Sequence, residues 1–183
     1  IRDSVAFRGL GDVYKRQHVG AFVATTTSTK NVDWVKDLGA DLVIDYKQDD
    51  FEKFLHDYDV VLNSQDSTTL TKSLNVLKPG GKLISISGPP DPAFGEEIKA
   101  PWFVKLILRL LSSGVRKKAK DRKVSFSFLF MKANGKQLRE ITALIDSGAI
   151  RPVVERVFPF DATPQALAHV EAGRAKGKVV VKI

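Results

Sequence analysis

The chain has 183 residues, of which 43% are hydrophobic and 27% charged, a composition typical of a globular domain that buries a sizeable core. No run approaches the roughly 18 apolar residues that a bilayer-spanning helix needs. The absence of cysteine excludes disulfides and cysteine-based metal sites, and we expect a reducing, cytoplasmic setting.

The net charge of +8 is concentrated in two segments. Residues 109–123 contain seven basic residues and one acidic residue, and residues 1–17 contain four basic and two acidic residues, which together account for the whole excess. A nucleic-acid-binding surface usually spreads basic residues over a folded face, with aromatic residues between them. We therefore expect no nucleic-acid partner.

The first half of the chain alternates short apolar runs with helix-forming segments. The expected helices are 31–38, capped by Asn31 and ended by Gly39, then 49–55 and 67–77. The expected strands are 21–25, 42–45, 59–63 and, after the turn KPGG at 78–81, 82–87. Apolar strands separated by helices predict a parallel sheet covered on both faces, which is a doubly wound α/β fold.

The second half is less regular. It contains helical patterns at 101–120 (broken near Gly114), 135–148 and 163–173, and strand patterns at 124–130 and 178–183. No linker or repeat interrupts residues 18–183, so we predict one domain there.

Residues 1–17 do not follow this pattern. Their ends, IRDS and VYKRQ, resemble translated sequencing-adapter sequence, and we interpret 1–17 as a non-native tail that contributes nothing to folding; the alternative is a native disordered tail. Gly9 and Gly11 resemble the start of a phosphate-binding glycine loop, but a poor strand precedes them and a poor helix follows. We therefore predict that the first strand and the glycine loop are absent.

Several segments together resemble zinc-free, zeta-crystallin-like quinone oxidoreductases of the medium-chain dehydrogenase/reductase superfamily. They are HVGAFVATTTSTKNVDWVKDLGADLVIDY, DVVLNSQDSTTLTKSLNVLKPGGKLISISG, FSFLFMKANGKQL and the closing segment from Ile150 to Ile183. The resemblance implies a Rossmann-like nucleotide-binding domain, here the C-terminal part of an N-terminally truncated enzyme. It also implies NADPH as cofactor and no metal.

The end of the second strand indicates which cofactor is bound. NAD-specific folds place an acid there for the ribose hydroxyls, and an acid would repel a 2′-phosphate. This chain has hydroxyl residues followed by Lys30, so we predict that Ser28 and Lys30 bind the 2′-phosphate of NADP. The alternative is that TTTST only caps a helix.

The family resemblance implies further cofactor contacts. These are Tyr46 near the adenosine phosphate, Ser64 and Ser87 after the fourth and fifth strands, the main chain of Phe128, Leu129 and Phe130 beside the nicotinamide, and Lys178. Tyr46 and Lys178 are equally consistent with ordinary surface residues. The family more often has an acid and a glycine pair where this chain has NSQDS, which weakens the assignment of Ser64.

The resemblance implies that the intact enzyme transfers hydride from NADPH to a small-molecule substrate, namely a quinone, an enone or a related carbonyl, and that it could be a homodimer. Its catalytic residues are expected outside this chain, so none is assigned. We expect the chain by itself to be inactive and to bind NADPH poorly. An alternative is a non-catalytic module that uses the basic helix 101–120 at a membrane surface. We favour instead a helix that covers a substrate cleft or a subunit interface, and do not expect a membrane partner.

Overall fold

A computed structural model describes residues 5–6, 20–173 and 175–183, with only the backbone described for Val5 and Ala6. The chain divides into two compact units, Ile1–Ala133 and Asn134–Ile183, and each is described by itself. The single domain over 18–183 stays a prediction.

The first unit is built on a six-stranded parallel sheet. Its strands are β1 (Val5–Ala6), β2 (Ala24–Thr27), β3 (Leu42–Asp45), β4 (Tyr58–Asn63), β5 (Leu77–Ser85) and β6 (Ser125–Phe128). The spatial order is β3-β2-β1-β4-β5-β6, and every neighbouring pair is parallel. This is the strand order of a dinucleotide-binding sheet, so the predicted doubly wound fold is confirmed.

The predicted absence of the first strand is wrong. Val5 and Ala6 pair with Ala24 and Thr25 of β2, and Ala6 also pairs with Leu62 of β4. Parallel pairing uses backbone groups, so two residues can fill the gap between two strands without an extended apolar run. Gly9 and Gly11 lie outside the described residues, as does most of 1–17, so the glycine loop and the non-native origin of the tail are not tested.

The helices of the first unit are α1 (Val32–Asp37), α2 (Ser67–Ser73), α3 (Pro92–Glu97), α4 (Trp102–Leu111) and α5 (Ser113–Asp121). The helix predicted over 49–55 is only a 3₁₀ turn, Phe51–Lys53, started by Asp50, whose side chain accepts a hydrogen bond from the Glu52 N–H. The helix predicted over 67–77 ends early because Leu77 pairs with Tyr58 as the first residue of β5. A second 3₁₀ turn, Thr29–Asn31, precedes α1.

Side chains on the two faces of the sheet enter separate clusters. Ala24, Ile44, Val61 and Leu83 pack with Leu70, Leu74 and Leu77, as the predicted apolar face of 67–77 requires. Val23 packs on the other face with Val35 and Ala40. Val61 and Leu83 are fully buried, so the rigid centre of the sheet supports the strand ends described below.

The break between α4 and α5 lies at Ser112, two residues before the predicted Gly114. The buried Ser112 donates both its backbone N–H (3.0 Å) and its hydroxyl (2.8 Å) to the Leu108 carbonyl oxygen. Hydroxyl bonding to the preceding turn bends helices, which explains the position. Gly114 lies inside α5.

The second unit contains α6 (Gly135–Asp146), β7 (Val154–Pro159), a 3₁₀ turn (Phe160–Ala162), α7 (Thr163–Glu171) and β8 (Lys178–Lys182). β7 and β8 form a parallel pair. The sequence analysis missed β7. In neither unit does a described helix have the length and apolar character needed to cross a membrane.

Candidate cofactor site

The carboxyl ends of the parallel strands bring most of the predicted contacts to one edge of the sheet. In the pairing register, Thr27 lies beside Asp45, Asn63 beside Ser85, and Ser85 beside Phe128. The segments that follow these strands contain Ser28, Lys30, Tyr46, Ser64, Ser87, Leu129 and Phe130. Open α/β sheets bind ligands in the crevice outside this edge.

The turn after β2 presents a hydroxyl and a cation. Ser28 is half-buried, and its Oγ accepts a hydrogen bond from Asn31 Nδ2 at 3.2 Å. The predicted side-chain cap of α1 by Asn31 is therefore wrong, because the Asn31 side chain bonds Ser28 instead. Lys30 is exposed and makes no salt bridge with any residue that the structure describes. Its ammonium group is therefore accessible to an anion.

The end of β3 adds two residues beside this turn. The Tyr46 backbone N–H donates to the Thr27 carbonyl oxygen at 3.0 Å, and the Tyr46 side chain is 58% exposed. Asp45, which the sequence analysis did not single out, contributes a carboxylate. A hydrogen bond from the Thr29 side chain lowers the pKa of Asp45, and the Lys47 N–H acts in the same direction. Asp45 therefore adds a negative charge beside the turn, which would repel an anion that Lys30 attracts.

The loops after β4 and β5 are joined by hydrogen bonds. Ser87 Oγ donates to the Gln65 carbonyl oxygen, and the Ile86 N–H donates to the Asn63 carbonyl oxygen at 2.9 Å. Ser85 is fully buried, and its hydroxyl donates to the Ser87 carbonyl oxygen. The predicted contact Ser87 is thus held in a fixed position, and it is half-buried like Ser64.

Two buried polar atoms on either side of β1 have no hydrogen-bond partner among the described residues. They are Thr26 Oγ1 on β2 and Asn63 Nδ2 at the end of β4. Asn63 is fully buried, and its Oδ1 accepts the Gln65 N–H at 3.3 Å. A buried polar atom without a partner costs about 1–3 kcal/mol, so these positions suit a polar ligand or a water molecule.

The segment after β6 is held by main-chain hydrogen bonds. The Phe128 N–H donates to Asp91 Oδ2 at 3.2 Å, and the Leu129 N–H donates to the Ser85 carbonyl oxygen at 2.8 Å. The Phe128 and Phe130 rings contact the Phe94 ring, with centroid distances of 5.4 and 5.5 Å. Main-chain contacts from residues 128–129 to a cofactor would therefore use the carbonyl oxygens.

Asp91 fixes this segment, and the sequence analysis missed it. Its Oδ1 accepts the Phe94 N–H at 2.9 Å, which caps α3, while its other oxygen holds β6. The dipeptide Asp91-Pro92 is the sequence signal that would have indicated a helix start. Lys178 lies exposed at the start of β8 in the second unit, and its contact with a cofactor stays a prediction.

The described residues were also compared with the ligand sets that hold metal ions. The described part of the chain holds no group of three or more His, Cys, Asp or Glu side chains that could bind a metal ion, and the sequence has no cysteine.

Comparison with known proteins identifies the family. The model of the zinc-binding dehydrogenases matches residues 38–181, and the chain belongs to this family. The predicted membership of the medium-chain dehydrogenase/reductase superfamily is thereby confirmed.

Two relatives agree with this assignment, and a solved structure shares the fold. The chain is 35% identical to the mitochondrial NAD(P)H oxidoreductase RTN4IP1 of Mus musculus, over 90% of this chain and 42% of that protein. It is 30% identical to the chloroplastic NADPH-dependent alkenal/one oxidoreductase of Arabidopsis thaliana, over 87% of this chain and 33% of that protein. The quinone oxidoreductase from Coxiella burnetii has the same fold, with a TM-score of 0.72 and 22% identity over 99% of this chain and 53% of that one. The chain thus spans less than half the length of these two relatives.

Proposed function

We propose that this chain provides the cofactor-binding edge of an NADPH-dependent oxidoreductase. The observation that carries the proposal is the turn after β2, where the exposed Lys30 follows the half-buried Ser28. A lysine and a hydroxyl suit the 2′-phosphate that distinguishes NADPH from NADH. Both relatives quoted above are named for NAD(P)H- or NADPH-dependent reduction.

The rest of the edge offers further polar groups to a dinucleotide. Tyr46 lies next to Thr27 and would flank the adenosine phosphate, while Ser64 and Ser87 would lie along the other half of the cofactor. Asn63 Nδ2, which has no hydrogen-bond partner among the described residues, is a buried donor at the same edge. NADPH would supply the hydride when bound, and these residues would bind and orient it.

The substrate we propose is a quinone, an enone or a related carbonyl compound. This rests on the relatives, one of which is named an alkenal/one oxidoreductase. We assign no catalytic residue within residues 20–183. The protein's cytoplasmic location and its possible homodimer also stay predictions.

The test is a fluorescence titration of the chain with NADPH and, separately, with NADH. We expect saturable binding of both, with a lower Kd for NADPH. The earlier expectation of poor binding depended partly on a missing central strand, which β1 supplies. Equal Kd values for the two cofactors would contradict the assignment of Ser28 and Lys30, and the absence of any binding would contradict the proposal as a whole.

A further inference from the structure

The outward face of α4 is apolar and uncovered. Its exposed side chains are Trp102 (77%), Phe103 (52%), Leu106 (48%), Ile107 (51%), Leu110 (64%) and Leu111 (61%). At 3.6 residues per turn these positions form one continuous half of the helix surface. The opposite half packs on α3, where Leu108 and Lys105 lie against Gly95 and Lys105 forms a salt bridge with Glu96 at 2.7 Å. The apolar half therefore points away from the helix that supports α4.

A dense positive charge adjoins this face. Seven basic residues lie in and around α5, and Asp121 is the one acidic residue among them. The basic residues are Arg109, Arg116, Lys117, Lys118, Lys120, Arg122 and Lys123. None of them makes a salt bridge with a residue that the structure describes.

The apolar and basic residues share one open groove of about 830 Å³. Leu106, Leu110 and Phe126 line it together with basic side chains that include Arg109 and Lys120. An apolar helix face beside uncompensated cations is the pattern of helices that lie in the interface of a membrane. Trp102, at the start of the helix, has the amphipathic ring that favours this interface.

We propose that the α4–α5 surface, residues 102–123, docks on an anionic lipid bilayer. The apolar half of α4 would enter the boundary between headgroups and acyl chains, and the cations of α5 would bind the headgroups. A second copy of the chain fits less well, because a two-fold contact would bring the same basic segment against itself. Nucleic acid would bind the cations but leave the large apolar side chains of α4 in water.

This proposal departs from the sequence-based expectation of no membrane partner and of a helix that covers a cleft or an interface, and nothing in the structure tests that expectation. The proposal rests on the six side chains of α4 that are about half exposed or more, together with the neighbouring cations. A ten-residue helix is too short to span a bilayer, so the interaction would be peripheral.

The experiment is binding of the chain to vesicles of phosphatidylcholine, alone or mixed with phosphatidylserine. Co-sedimentation measures the bound fraction. In a Trp34→Phe variant, Trp102 is the single remaining tryptophan and its emission reports insertion. We expect binding to the mixed vesicles with a blue shift, weakened by salt, and little binding to phosphatidylcholine alone.

Matched variants separate the contribution of the apolar side chains of α4 from that of the basic side chains of α5. Leu106→Glu with Leu110→Glu should abolish binding, whereas Leu138→Glu on α6, a leucine that is 65% exposed, should not change it. Lys117→Glu with Lys120→Glu should lower the partition coefficient about tenfold or more, because each basic residue near an anionic bilayer contributes roughly a fivefold factor. Circular dichroism checks that each variant is folded.

Three results would overturn the proposal. One is equal binding to both kinds of vesicle, and another is binding that the α4 and α5 variants leave unchanged. The third is the absence of binding to the mixed vesicles; a dimer in sedimentation velocity that Leu106→Glu and Leu110→Glu dissociate would then make α4 a contact between copies.

Discussion

Replacing Lys30 with alanine should weaken binding of NADPH much more than binding of NADH. Lys30 is exposed, and an exposed ion pair contributes only about 0.2–1 kcal/mol. A hydrogen bond to a charged group can contribute about 1.5–3 kcal/mol, and the half-buried Ser28 excludes some water from one side. We therefore expect a loss of about 1–2 kcal/mol, which is roughly a 5–30-fold higher Kd for NADPH. The assay is fluorescence titration with each cofactor.

Lys36→Ala is the matched control, because Lys36 is also exposed, lies on α1 and carries the same charge. It should leave both Kd values nearly unchanged. The Kd for NADH should also change little in Lys30→Ala, since NADH has no 2′-phosphate. Two results would show that Lys30 acts only through general charge. One is that Lys30→Ala weakens binding of NADPH and NADH equally, and the other is that Lys36→Ala weakens NADPH binding as much as Lys30→Ala does.

Three further predictions concern the fold. Leu83→Ala should destabilise the chain by about 2–5 kcal/mol, seen as a Tm lower by roughly 5–15 °C, because Leu83 is fully buried at the centre of the sheet; a Tm within a degree or so of wild type would contradict this packing. Deleting residues 1–17 should lower Tm by several degrees because it removes β1 from between two strands. An unchanged Tm would support the sequence-based prediction that these residues contribute nothing to folding. A hydrogen bond from Lys72 lowers the pKa of Asp50 below the ordinary 3.8. The Asp50–Lys72 interaction therefore stabilises the folded chain fully above pH 3.8, and this stabilisation is lost as the pH falls through the lower pKa of the folded state. In urea denaturation, Asp50→Asn should therefore be less stable than wild type at neutral pH and equal to it in strong acid, with Asp49→Asn as control; a difference that persists in acid would assign the effect to another cause.

The sequence predicts β3 and β4 well: β3 has the predicted bounds, and β4 begins one residue earlier, at Tyr58. β2 (Ala24–Thr27) lies later than the predicted 21–25, because its threonines do not form an apolar run. β5 (Leu77–Ser85) begins before the predicted 82–87 and includes the predicted turn 78–81. β1 was missed because charged residues flank a two-residue pairing, and its stabilisation comes from backbone groups of β2 and β4 that no local pattern reveals. Boundaries such as the early end of α2 also depend on tertiary pairing rather than on propensity.

The candidate site was predictable where it follows strand ends. Ser28, Tyr46 and Ser87 lie at the carboxyl edge of the sheet, as predicted, because parallel strands end on the same side; their contacts with a cofactor stay predictions. Asp45 and Asp91 were not identified, because their roles depend on hydrogen bonds to segments that only the fold brings near: Thr29 for Asp45 and Phe128 for Asp91.

The central claim is that the carboxyl edge of the first unit's sheet binds NADPH, and backbone amide NMR of the chain with added NADPH tests it most directly. We expect the largest chemical-shift changes after β2, β3, β4 and β5, at Ser28, Lys30, Tyr46, Ser64 and Ser87. The basic groove of α4 and α5 is the competing anion site, since any phosphate ligand is attracted to its cations. Changes confined to residues 102–123, with the strand ends unaffected, would contradict the claim.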